Sequence, residues 1–187
     1  MKLERDFYVR TALEVAKDLP GHILVRNSAD GVTKGRIIEA EAYMGEIDAA
    51  AHSYMGRRTG RTEIMFAPGG CAYVYLIYGM HCCMNVVCNL KDVPQAVLIR
   101  VLEPIEGIGL MWKRRPKAKK DVDLCSGPGK LCAAMNITRA QNGADMAWDE
   151  IYIERAEGGP FQTEALKRVN IDYAGEAKDY PWRFRLV

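Results

Sequence analysis

The chain has 187 residues and a mass of 20.9 kDa, enough for one ordinary hydrophobic core, so a single domain spanning 1–187 is expected. With 49% apolar and 27% charged residues it is neither a disordered, a collagen-like nor a coiled-coil chain. Six cysteines, about 3% of the residues, are too few for a disulfide-stapled scaffold and read as reduced thiols. The formal charge is +2, yet Lys113, Arg114, Arg115, Lys117, Lys119 and Lys120 alone carry +6, which leaves −4 for the rest. Positive charge is therefore localised. Arg57, Arg58 and Arg61, interspersed with Gly56 and Gly60, form a second cluster, and each cluster reads either as a solvated loop or as a surface for a polyanion.

In chain order, charges at positions 2, 4, 5 and 6 with no apolar run behind them give no signal-peptide pattern. Apolar spacing predicts an amphipathic helix over 6–19, stopped by Pro20-Gly21. Ile23 to Arg26 and Gly35 to Tyr43 read as a hairpin about Asp30-Gly31. At period two, Glu39, Glu41 and Tyr43 share one face of the second strand, with Ala40, Ala42 and Met44 on the other. Residues 45–60 read as a loop over this strand, with a possible helical turn at Asp48 to His52. Cys71 to Tyr78 is a strand that turns at Gly79 and returns as Met84 to Leu90, and Ala96 to Val101 is another. The stretch 70–90 has no charged residue and is long enough to cross a bilayer, but its asparagines, its Tyr78-Gly79 turn and its alternation favour strands. A basic loop covers 113–120. A short helix is expected over Lys130 to Asn136, a helix over Glu164 to Asn170, and closing strands at Ile151 to Glu154 and Arg183 to Val187. The fold class is α+β around a curved, mostly antiparallel sheet flanked by helices.

Candidate chemistry narrows quickly. There is no Cys-x-x-Cys, His-x-x-x-His or phosphate-loop spacing, so neither a metal nor a nucleotide cofactor is expected. Ser126 and Lys130 at a helix start offer a weak anchor for one phosphate. What remains is Glu39 and Glu41 on one strand face, His52 soon after, tyrosines at 73, 75 and 78, and Arg100 ending an apolar strand. Adjacent carboxylates repel, so one rises in pKa or finds a cation. Arg100 can serve that purpose, either as a structural ion pair or beside a catalytic carboxylate. Tyrosines near a glycine turn and flanked by arginines are either core or a surface that stacks on bases and tracks phosphates.

Several ordered strings carry a resemblance: Glu39-Ala-Glu-Ala-Tyr43, Ala50-Ala-His52-Ser, Tyr73-Val-Tyr-Leu-Ile-Tyr-Gly-Met80 with Asn85, Leu98-Ile-Arg-Val-Leu-Glu-Pro104, Leu124-Cys-Ser-Gly-Pro-Gly-Lys-Leu-Cys132, and finally Ala174-Gly-Glu176 and Pro181-Trp-Arg-Phe184. Together they resemble the 3-methyladenine (alkyladenine) DNA glycosylase family over nearly the whole chain. His81-Cys-Cys83 departs from the family, whose members commonly carry bulkier aromatics there.

The resemblance implies a monofunctional enzyme that flips alkylated or deaminated purines from double-stranded DNA and hydrolyses the glycosidic bond, the alternative being a non-catalytic binder of damaged DNA. A reading as a transferase for formyl-carrying substrates lacks any supporting motif. The implied roles are Glu41 as the base that activates water and Arg100 as its partner. Tyr43 would lie on one side of the flipped purine, with His52 and Tyr75 on the other, stacking that favours a cationic alkylated ring. The Ala50 carbonyl and the His52 ring N–H would read the purine edge, and Asn85 would crowd out normal guanine. Tyr78 and Met80 would form the intercalating tip of a protruding hairpin. Arg57, Arg61, Ser126 and Lys130 would contact phosphates. A monomer acting in a bacterial cytosol is expected (in a eukaryote, the nucleus), with no cofactor, no metal, no membrane partner and no strand cleavage. The carboxylate at 41 is expected to be open to water and deoxyribose.

Overall fold

The computed structural model describes residues 1–187. Eight strands make one curled, antiparallel sheet: β1 (Ile23–Ser28), β2 (Gly31–Tyr43), β3 (Ala72–Ile77), β4 (His81–Cys88), β5 (Gln95–Glu106), β6 (Ile151–Glu154), β7 (Thr163–Leu166) and β8 (Arg183–Leu186). The order is β3-β4-β5-β2-β1-β6. Helices α1 (Arg5–Tyr8), α2 (Ala12–Asp18), α3 (Ile108–Arg114), α4 (Asp121–Leu124) and α5 (Pro128–Ala134) complete an α+β fold, as the alternation in the sequence predicts.

The 13-residue β2 organises the sheet. One edge pairs with β5 from Lys34 to Tyr43, while the other is shared, β1 taking Gly31 to Arg36 and β8 taking Glu39 to Glu41. Alternation then sorts side chains. Ala40, Ala42, Val74, Met84, Val86, Val97 and Ile99 enter the main core, where the apolar stripe of α2 and residues Met111, Leu131 and Cys132 meet them. Met65, Phe66, Tyr73, Val87 and Ala96 make a smaller cluster of their own, and Ala50, Ile171, Ala174 and Ala177 a third beside Tyr43. Parity changes once: Ile37 and Ala40 both face the main core although three apart, as do Ile99 and Leu102. Register shifts around Ile37, Glu39 and Ala40 account for this, because a bulge restarts the alternation.

Several sequence expectations need correction. The helix predicted over 6–19 is two helices, because Thr11 takes an extended backbone and caps α2 in a reciprocal box with Glu14. The helix predicted for 164–170 is instead β7 followed by irregular chain, since β7 pairs with β8, a partner about 20 residues away. Pairing across the sheet overrides the helix preference of Glu, Ala and Leu there. The basic loop begins as α3, whose Ile108, Met111 and Trp112 pack inward. The short helix α5 starts at Pro128, its first turn, and ends before Asn136, which has positive φ. Asp48 to His52 forms turns rather than a helical turn.

The uncharged stretch 70–90 holds the β3–β4 hairpin, and no helix is long and apolar enough to cross a membrane. At the hairpin tip Tyr78 and Gly79 both have positive φ, 52° and 69°. For a non-glycine residue this costs about 1–2 kcal/mol; Tyr78 is 79% exposed and Met80 72%. All six cysteines are free thiols, and burial pushes Cys125 up to about 12.

Candidate active site

The register draws the site residues into one row. Tyr73 pairs with Asn85, Asn85 with Leu98, Leu98 with Glu41 and Glu41 with Arg183, across β3, β4, β5, β2 and β8. Within this row Glu41 has no exposed surface at all. Its Oε2 accepts from the Tyr43 hydroxyl at 3.0 Å and lies 3.4 Å from an Arg100 amino group, while Oε1 accepts from the Val169 amide at 2.9 Å. Glu39 takes Arg183 at 3.1 Å and lies 3.8 Å from Arg100 Nε. Burial pushes the Glu41 carboxyl up, opposed by Arg100, the Val169 amide and the Tyr43 hydroxyl. The sequence reading of Arg100 as the partner of the carboxylate pair holds geometrically, and Arg100 Nε is buried without a hydrogen-bond partner.

A second buried ion pair was not foreseen. Arg168 and Asp48, both fully buried, form a two-pronged pair at 2.6 and 2.9 Å, and Arg168 also donates to the carbonyls of Ala42 and Ala177. Its guanidinium stacks on Tyr43 at 4.9 Å and on Trp182 at 5.0 Å. Asp48 also accepts from the amides of Met44 and Ala50, so this pair fixes both the loop carrying Ala50 and the ring of Tyr43.

Between the loop and the sheet lies an aromatic slot bounded by Tyr43, Ala50, His52, Tyr75, Asn85 and Tyr173, with a volume of about 40 Å³. That is room for water and not for a purine. An open basin of about 790 Å³ adjoins it, bordered by Ala50, His52, Arg57, Arg61 and Tyr173. Tyr173 closes the join, its hydroxyl donating to the Ala50 carbonyl at 3.3 Å. The expected open carboxylate is therefore corrected: in this closed form Glu41 lies sealed behind Tyr43, out of reach of solvent and sugar, and the Ala50 carbonyl is already engaged. Asn85 faces the slot and donates to the Tyr73 carbonyl at 3.1 Å.

His52 meets Tyr75 edge to face at 4.6 Å between ring centroids. Arg61 donates to its Nε2 at 3.3 Å, and since arginine has no acceptor, the proton of the neutral ring sits on Nδ1 and is donated to the Tyr73 hydroxyl at 2.9 Å. Both ring nitrogens are thus engaged within the protein, which corrects the expectation that a His52 ring N–H is free for a purine edge. Burial and the nearby Arg61 charge push His52 down to about 4.

The remaining candidates are scattered. Arg57 is exposed at the basin. Lys130 donates to Ser126 at 3.0 Å at the start of α5, where Gly129 approaches His81 of β4. Within the basic cluster, Arg114 is tied to Asp30 and the Ala134 carbonyl, and Arg115 to the carbonyls of Asp123 and Leu124. No three His, Cys, Asp or Glu side chains converge as a metal site.

A curled sheet thus presents a slot of tyrosines and a histidine, with a buried carboxylate–arginine pair behind Tyr43. The family model for Methylpurine-DNA glycosylase matches residues 6–187. Proteins of Alkaliphilus oremlandii and Clostridium acetobutylicum are 52% and 51% identical over 98% of this chain, covering 95% and 93% of their own lengths. One from Methanocella arvoryzae is 52% identical over 97% of this chain and 90% of its own. Each bears the name "Putative 3-methyladenine DNA glycosylase". The chain belongs to the methylpurine-DNA glycosylase family, a group of base-excision repair hydrolases.

The Arg168–Asp48 pair yields a stability prediction. Asp48→Ala strands a buried guanidinium and is expected to cost about 3–5 kcal/mol in urea unfolding. The double variant Asp48→Ala with Arg168→Met is expected to lose less than the sum of the two single variants; additive losses contradict a coupled pair.

Proposed function

We propose that this protein turns a damaged purine out of duplex DNA and hydrolyses its glycosidic bond with water activated by Glu41, leaving a free base and an unbroken strand with an abasic site. The observation that carries the reading is the Glu41–Arg100 pair beneath a slot walled by Tyr43, His52 and Tyr75, in a chain of this family. A stacked base is out of reach of any side chain, so extrusion must come first, at a cost of a few kcal/mol. Tyr78 and Met80 at the exposed hairpin tip are suited to fill the gap, being apolar and already exposed.

In the reaction the bond from C1′ to the purine breaks as its electron pair leaves with the base. Water adds to C1′ and its proton passes to Glu41; a cationic base departs neutral, whereas an uncharged purine departs as an anion and takes up a proton from the protonated Glu41 or from solvent. The carboxylate also stabilises positive charge on the sugar as the bond opens. Arg100 opposes the upward push of burial on Glu41 and would help to orient the water. Asn85 narrows the slot opposite the two-amino position of guanine. None of the residues bordering the slot is a lysine, so no amine stands ready to form a Schiff base with the sugar. Arg57, with Ser126 and Lys130 at the start of α5, would hold phosphates around the extruded nucleotide.

The closed slot must widen for this chemistry. Tyr173, 72% exposed and tied to Ala50 at 3.3 Å, is loosely enough held to swing aside. The sealed Glu41 also favours a second reading, a binder of damaged DNA without hydrolysis. Incubation with methylated duplex DNA separates the two: release of free purine supports the enzyme, and tight binding without release supports the binder.

Glu41→Gln is expected to lower single-turnover release at least about 10²-fold while binding to abasic duplex is kept. Because burial raises Glu41 and the base acts deprotonated, release should increase with pH through a limb above the usual carboxylate range of about 4.3, and that limb should vanish in the variant. Tyr78→Ser is expected to weaken binding to a lesion duplex several-fold with little change in urea midpoint; equal binding removes Tyr78 from the wedge.

A further inference from the structure

Arg61, expected from the sequence to hold a phosphate, is exposed at the open basin and also rests against two residues of the slot wall. Its guanidinium stands 5.0 Å over the Tyr75 ring and bonds His52 Nε2. The other charged groups around the slot are neutralised: Glu41 and Glu39 by Arg100 and Arg183, Asp48 by Arg168. Arg61 has no carboxylate within ion-pair distance, so behind the His52–Tyr75 wall, on the basin side, its charge is uncompensated. Tyr75 is already stacked on that cation, which weakens the pull of the ring on a second positive charge.

We propose that Arg61 is a specificity-determining residue of the slot: it holds His52 in the Nδ1–H tautomer and keeps one uncompensated positive charge at the wall, so that an uncharged purine is accepted in preference to a positively charged one. This rests on the glycosylase reading and reverses the expectation that the aromatic slot favours a cationic ring. Hypoxanthine is an uncharged lesion, whereas 7-methylguanine still joined to its sugar carries positive charge. The charged and titratable groups facing the His52 ring are Arg61 from the loop and Tyr73 and Tyr75 from β3, with Tyr43 of β2 and Tyr173 across the slot. Burial and Arg61 both resist protonation of the ring, so removal of the arginine charge raises its pKa.

The test compares parent, Arg61→Gln and Arg61→Lys on two duplexes that differ only in hypoxanthine or 7-methylguanine. Arg61→Gln is expected to shift the ratio of excision rates, and of affinities, toward 7-methylguanine by about fivefold or more, and Arg61→Lys, which keeps the charge, to stay within about twofold of the parent. In free protein, nitrogen NMR of the imidazole should show the Nδ1–H tautomer, and the ring of Arg61→Gln should take up a proton at higher pH. An equal loss on both duplexes, with the salt dependence of binding reduced by about one phosphate contact, identifies a phosphate clamp and overturns the proposal. So does an unchanged ratio, or a ring protonated on Nε2. If the parent releases neither base, the glycosylase reading fails, while the affinity ratio and the imidazole spectrum still decide the role of Arg61.

Discussion

A carboxylate with no exposed surface is costly unless its charge and lone pairs are satisfied, and Glu41 is satisfied from three separate parts of the chain. Arg100 comes from β5, the Tyr43 hydroxyl from the same strand two residues on, and the Val169 amide from the segment after β7. The architecture follows from this requirement. The full-length pairing of β2 with β5 brings the guanidinium alongside, and the shared outer edge leaves room for β8 to supply Arg183 to Glu39. The Arg168–Asp48 pair then braces Tyr43 from a second direction and pins the loop holding Ala50 and His52. Two buried ion pairs thus hold the two sides of one slot.

Such a site is rigid where it fixes charge and weak where it meets solvent. Glu41 itself is held by the Tyr43 hydroxyl, the Val169 amide and Arg100, whereas Tyr173, which borders both slot and basin, is tied there by one long bond. A slot of about 40 Å³ lies beside a basin of about 790 Å³. Burial of the carboxylate strengthens each electrostatic interaction made with it. Positive charge gathers at the basin, where Arg57 and Arg61 are both exposed and Arg61 also stacks on Tyr75.

Period two on β2 was enough to separate Glu39, Glu41 and Tyr43 from Ala40 and Ala42, because strand alternation is a local rule and both faces of β2 are in use. Arg100 was legible as a cation ending an apolar strand, and Tyr78 as a residue at a glycine turn. Ordered strings carried the family. What escaped was long-range or conditional. Asp48 and Arg168 are 120 residues apart and neither sits in a pattern that marks it as buried. Residues 164–166 are too short a run for periodicity to tell strand from helix, and the deciding partner, β8, lies far along the chain. Arg61 is exposed, as clustered arginines usually are, but only the fold reveals that His52 and Tyr75 are its neighbours. Closure of the slot depends on where Tyr173 rests, which no local rule gives.

The most direct measurement is the structure of the protein bound to a duplex carrying a hydrolysis-resistant, 2′-fluorinated lesion nucleotide. The account predicts the base between Tyr43 and the His52–Tyr75 wall, Tyr173 displaced from Ala50, and a water bridging Glu41 and C1′. A complex with the lesion engaged while Glu41 stays sealed and dry behind Tyr43 would contradict it.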